Sequence, residues 1–167
     1  VGEVSEGRVL TPTGQLLHTG SAAATIPIPG RPVDLALSPD GRMLAVLHNL
    51  GVDFIDTSSN PAGNPPGWRL LRRVLTGPTS YLGLAFSADG ETLYTGELTK
   101  GGAHHLLRIP AKTEGAIGRI PLPADSLPAG VALARDGRTA YVCLNRRNSL
   151  AFVDLACDGM ESMNLEE

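Results

Sequence analysis

Seven residues of this 167-residue chain, of types that bind ligands or move protons, stand out as site candidates: Arg31, His48, Asn49, Glu97, His104, Asn145 and Arg146. A histidine and a carboxylate could serve as base and acid, and an arginine could hold an anionic oxygen in its planar fork. If His48, Glu97 and Arg146 met at one mouth, they would suit a hydrolase. Each also has a plainer reading. His48 can be a surface or capping histidine. His104-His105 sits in a Gly-rich loop, where alternation turns the two rings to opposite sides. Arg146-Arg147 reads as a hairpin tip. Glu97 follows Gly96 where comparable stretches carry Leu47-His48 and Cys143-Leu144. Trp68 reads as the start of an outer strand covering a sheet edge, or as a binding aromatic.

Other chemistries lack their residues. There is no Gly-rich phosphate loop, no Ser/His/Asp order and no nucleophile elbow. Cys143 and Cys157 stand 14 apart without C-x-x-C or C-x-x-C-H, so neither zinc nor c-type haem is expected. No catalytic residue, metal or other cofactor is assigned. Whether the two cysteines pair is open, and Cys143 reads as a small apolar strand residue. A formal net charge of −3 implies no nucleic-acid or anionic-membrane partner, and no apolar run approaches the ~20 residues of a membrane span.

The elements that would position these residues are repeated. Val33 to Val46 contains Ser38-Pro39-Asp40-Gly41 between two apolar runs, and Leu82 to Thr95 and Gly130 to Val142 repeat it. The Asp-Gly pairs at 40, 89 and 136 are 49 and 47 residues apart. That period, with 20 Gly, 13 Pro, 42% hydrophobic and 19% charged residues, predicts an all-β chain of propeller blades or solenoid units. The recurring aspartates are turn-formers rather than metal ligands, because each sits at the same turn. In the first strand of each unit, one face is bulky (Val33, Leu35, Leu37; Leu82, Leu84, Phe86) and the other small (Gly83, Ala85; Gly130, Ala132). Small residues fit where neighbouring sheets converge on an axis.

The units are read as 30–78, 79–128 and 129–167, each with an Asp-Gly turn after its first strand. The fourth strand is visible at Trp68 to Leu75 and Ala116 to Pro121 and is expected to be missing from the third unit. Residues 1–29 are read as a hairpin over 8–18 and a Pro-interrupted edge strand over 23–29, part of a neighbouring or closing blade.

These turns, with Phe54-Ile55-Asp56 and Phe152-Val153-Asp154, resemble the YVTN-type β-propeller repeats of bacteria. Ala140 to Asp154, Leu10 to Gln15 and Arg31 to Leu37 are similar to a subgroup in which the propeller precedes a phosphoesterase domain. The resemblance covers about residues 8–158. It implies four-stranded antiparallel blades, about three of a probable seven, and a periplasmic or extracellular setting. No residue here matches the phosphoesterase.

Two complete units, a truncated third and an N-terminal strand set make an open wedge, read as an N-terminal fragment of a longer protein. Its remaining blades or a C-terminal domain are the expected partners, and the wedge is expected to self-associate. The Asp-Gly turns fall at one end, the bottom. All seven candidate residues fall at the other, the top, where a small-molecule or protein ligand is expected. The function expected is a non-catalytic scaffold or binding module of a larger bacterial protein. The alternative is a lactonase-like hydrolase, and redox work is less expected because C-x-x-C-H is absent and aromatics are few.

Overall fold

The turns that repeat in sequence repeat in atomic detail. Ser38 Oγ donates to Asp40 Oδ1 (2.6 Å) and accepts the Met43 N–H (2.9 Å), while Asp40 Oδ1 accepts the Arg42 N–H (3.1 Å). Ser87 and Asp89 make the same three bonds with one another, Thr92 and Glu91. In the third turn Ala134 lacks the hydroxyl, and Asp136 keeps the bond from the Arg138 N–H (2.9 Å). Gly41, Gly90 and Gly137 close the turns at φ 71°, 71° and 69°, a left-handed conformation that costs a residue with a Cβ roughly 1–2 kcal/mol.

The computed structural model describes residues 2–5, 8–10, 16–18, 26–58, 69–156 and 159–164. Strands β1 (Gly2–Ser5), β2 (Arg8–Leu10) and β3 (Leu16–His18) form a three-stranded antiparallel sheet. The first blade is β4 (Pro32–Leu37), β5 (Met43–His48), β6 (Gly51–Asp56) and β7 (Arg69–Leu75), paired in chain order. The second is β8 (Thr79–Phe86), β9 (Thr92–Glu97), β10 (His105–Pro110) and β11 (Gly118–Pro121). The third is β12 (Pro128–Leu133), β13 (Thr139–Leu144), β14 (Ser149–Asp154) and β15 (Gly159–Asn164). The fold is all-β, with antiparallel four-stranded blades.

Two expectations are corrected. The third blade does have a fourth strand: β15 pairs with β14 along its full length. Gly-Met-Glu-Ser-Met-Asn carries no apolar alternation from which a strand could be read. The edge strand expected over 23–29 does not form in its described part. Ile26, Pro27, Ile28 and Pro29 make no ladder, since two prolines remove the donors it would need. The turn of the 8–18 hairpin, Ala23 to Thr25, Trp68 and Cys157 lie outside the described residues.

Strand alternation gives each blade an upstream face, toward the lower-numbered blade, and a downstream face. Leu93, Leu107 and Ile109 of the second blade pack upstream against Ala45, Leu47, Val52 and Phe54. Tyr94, Leu106 and Ile120 of the same blade pack downstream against Ala140, Val142, Ala151 and Val153. The second blade is therefore buried on both sides. Small residues let the inner strands meet: a Cβ on Gly83 (φ 107°) would lie 2.8 Å from the Gly130 backbone. Asp34, at the matching place in the first blade, has a side chain that accepts the Gly83 N–H instead (2.8 Å). Arginines fasten the junctions from outside. Arg72 lies 5.0 Å from the Phe54 ring centroid and donates to the carbonyls of Pro110, Ala111 and Thr113, and Arg108 donates to that of Leu155.

Candidate functional site

The top end is built by tying loops to strand starts. The Asn49 side chain accepts the Arg31 N–H (2.7 Å), the Leu98 N–H donates to Pro78 O (2.9 Å), and the Asn145 N–H donates to Leu127 O (3.1 Å). Other bonds run between blades: Thr79 Oγ1 donates to His48 O (2.8 Å) and Ser80 Oγ to Pro128 O. The seven candidate residues do share one end of the molecule. They divide into exposed and buried sets.

Arg31, Asn49, Asn145 and Arg146 are exposed. Asn145 to Arg147 form one 3-10 turn ending at Asn148, itself left-handed at φ 46°. Arg146 Nη1 stands 3.7 Å from Asp125 Oδ1 and its N–H donates to Ser126 O (3.0 Å). Arg147 Nε donates to Ala124 O (3.0 Å). The loop they hold contains Asp125 (φ 55°) and Leu127 (φ 47°), two non-glycine residues in left-handed conformation. Such strain persists only where neighbouring bonds impose it.

His48, Glu97 and His104 are buried, at 0%, 3% and 5% exposure. His48 Nδ1 accepts the Leu50 N–H (3.3 Å), which leaves Nε2–H to face Asp53 Oδ1 at 3.4 Å. Asp53 in turn takes a two-pronged bond from Arg73, 2.8 Å at each oxygen. Gly30 passes over this group, and a Cβ there would lie 2.4 Å from Asn49 Oδ1 and 2.9 Å from His48 Nδ1. In the second blade, Glu97 Oε2 accepts from His105 Nδ1 (2.9 Å), and Arg119 bonds both carboxylate oxygens (2.9 and 3.0 Å). Each carboxylate raises the pKa of its arginine through these bonds. His104 Nδ1, Ser126 Oγ and Thr95 Oγ1 are buried polar atoms with no hydrogen-bond partner.

The ladders show that these networks are variants of one position. His48 pairs with Gly51 as Glu97 pairs with His105, and Asp53 pairs with Arg73 as Leu107 pairs with Arg119. The second blade keeps the arginine and moves the acid from the third strand to the end of the second. In the third blade the same places hold Leu144, Ser149, Ala151 and Ser162. His48 and Glu97 therefore occupy equivalent sites in neighbouring sheets, each with its own partners, and Arg146 belongs to a third sheet's loop. An open cleft lies elsewhere, on the first blade, lined by Pro32, Val33, Asp34, Leu35 and Val46. Among the described residues, no group of three or more His, Cys, Asp or Glu could hold a metal.

Sequence reading missed Asp53, Arg73, His105 and Arg119 as partners. A signal was present: Asp53 interrupts the apolar run Val52-Phe54-Ile55, and Arg73 and Arg119 stand in outer strands at matching register.

No family model and no curated protein matches the chain. Solved structures do. Staphylococcus aureus virginiamycin B lyase, in a catalytically inactive form with quinupristin, is similar with TM-score 0.62 and 16% identity, over 95% of this chain and 48% of that one. The WD40 repeats of RRP9 give 0.64 and 16%, over 83% and 40%. A putative 6-phosphogluconolactonase from Bacteroides uniformis gives 0.55 and 13%, over 93% and 52%. These are β-propeller structures, and this chain has the fold of part of one. It spans between 40% and 52% of their lengths.

Proposed function

We propose that this chain is a non-catalytic binding module, a partial propeller of YVTN type within a larger bacterial protein that works in the periplasm or outside the cell. One observation carries the non-catalytic reading. The buried histidine and carboxylate that a hydrolase would use, His48 and Glu97, are each consumed by a separate arginine-anchored network. Arg31, Asn49, Asn145 and Arg146, exposed at the top, form the contact surface for a small molecule or a protein. The left-handed loop at Asp125 and Leu127 supports that surface. The YVTN reading rests on the wording of Ala140 to Asp154.

The test has two parts. Sugar lactones and phosphate esters incubated with the chain should turn over no faster than in buffer; turnover lost in Glu97→Gln would overturn the reading. Amide shifts in an NMR titration against a fragment library should cluster at 31, 49, 125–127 and 145–148. Clustering at the Asp-Gly turns would place binding at the wrong end.

A further inference from the structure

We infer that Pro123 to Pro128, which link the second and third blades at the top, form a strap over an oxyanion site, held shut by the strap's own carboxylate. The site is part of the top-end surface proposed above to bind ligands and rests on that reading. Two polar groups at the strap have nothing to bond. His104 Nδ1 and Ser126 Oγ are sealed from solvent, on residues 5% and 0% exposed, and neither has a hydrogen-bond partner. The backbone brings the two residues together. The Leu122 N–H donates to His104 O (2.9 Å) and the Asp125 N–H to Gly102 O (2.8 Å), so residues 102–104 and 122–125 run side by side beyond the β10–β11 ladder.

Buried polar groups are nearly always satisfied, and one left alone has given up water for nothing. The strap adds a separate cost, because Asp125 (φ 55°) and Leu127 (φ 47°) are left-handed without being glycine. Its ties run to the 3-10 turn of the third blade. The Asn145 and Arg146 N–H groups donate to Leu127 O and Ser126 O, Arg147 Nε donates to Ala124 O, and Arg146 Nη1 faces Asp125 Oδ1 at 3.7 Å. The side chains of that ion pair are 60% and 68% exposed, so water and salt weaken it. A competing anion takes Arg146 from Asp125, and the strap lifts with relief of both costs.

Each group freed by lifting the strap can donate: the Arg146 and Arg147 guanidiniums, the His104 imidazole and the Ser126 hydroxyl. Donors of this kind, two of them planar forks, suit a carboxylate or a phosphate. Asp125 is the chain's own stand-in for that oxyanion. Gly102 leaves the room for it, since a Cβ there would lie 2.6 Å from Asp125 Oδ1.

The full chain should be titrated with potassium phosphate, acetate or chloride at fixed pH and ionic strength and followed by amide NMR. Saturable shifts are expected at 102–104, 122–127 and 145–147 with an oxyanion and not with chloride. Saturation by acetate alone assigns a carboxylate ligand, by phosphate alone a phosphoryl one, and by both an oxyanion of either kind. Asp125→Asn removes the built-in anion and should tighten binding about threefold, the scale of an exposed ion pair. Ser126→Ala removes an unsatisfied hydroxyl, so it should raise Tm while weakening binding about fivefold. His104→Phe asks the same of the other group and serves if Ser126→Ala unfolds. Wild-type affinity in Ser126→Ala and His104→Phe would reduce the contact to surface arginines and overturn the strap. No saturation by either oxyanion, or no tightening in Asp125→Asn, would overturn it too, while leaving fragment binding at the top intact. Anion shifts at the Asp-Gly turns instead would overturn both the strap and the reading of the top end.

Discussion

A buried charge is tolerated only while its partners hold it, so the His48–Asp53–Arg73 group should respond unequally to different substitutions. Asp53→Ala removes the acceptor for both a buried histidine and an arginine. It should cost on the order of 3 kcal/mol, read from urea denaturation. The triple change His48→Leu, Asp53→Ala and Arg73→Ser installs the residues that the third blade uses at these places, and it should cost less than Asp53→Ala alone. A triple variant less stable than the single one would mean that the network contributes more than its own satisfaction. The turn aspartates make a separate, pH-dependent case. The Ser87 hydroxyl, then the Glu91 N–H, hold Asp89 below its ordinary pKa, as Ser38 and Arg42 do for Asp40. A depressed folded-state pKa stabilises above the unfolded value, about 3.9, and that contribution is lost as pH falls through the folded value. The Tm gap between wild type and Asp89→Ala should therefore be full near pH 7 and shrink below about pH 4. Asp136→Ala should show a smaller gap at neutral pH, since Ala134 offers no hydroxyl.

At the scale of strands, the inner-strand glycines separate two costs that a turn glycine combines less severely. Gly137 is left-handed with nothing within 4 Å of where a Cβ would stand, whereas Gly83 is left-handed and its Cβ would strike the Gly130 backbone at 2.8 Å. Gly137→Ala should lose roughly 1–2 kcal/mol. Gly83→Ala adds overpacking against an inner strand that cannot yield, for a total of about 3 kcal/mol or more. Equal losses in thermal denaturation would mean that the blades can part at the axis. This contrast also marks how much was legible in the sequence. The Asp-Gly period and the small face of the inner strands predict the blades and their convergence, because turn chemistry and axial crowding repeat with every copy. Strand β15 was not legible, because Gly-Met-Glu-Ser-Met-Asn carries no apolar alternation. The top end was legible as an end, through antiparallel geometry. The division of its residues into buried and exposed was not, because it depends on cross-strand partners such as Arg73 and Arg119 whose register no local pattern encodes.

Across the whole molecule, burial is unequal. The second blade packs apolar side chains on both faces and β5 and β6 of the first are buried on both faces too, while the third leaves Cys143 exposed and Tyr141, Leu150 and Phe152 half-buried. Each large apolar side chain taken from water contributes roughly 1.5–3 kcal/mol. In a repeat array each unit is held by its neighbours, so the unit with two junctions opens last. Backbone amides of β5, β6, β9 and β10, buried on both faces, should accordingly exchange slowest. Those of β13 and β14, where Tyr141, Cys143, Leu150 and Phe152 leave one face partly open, should exchange faster. A uniform exchange profile at low concentration would mean that the three blades open as one unit. In that case the junctions, rather than the blades, would be the strongest part of the structure.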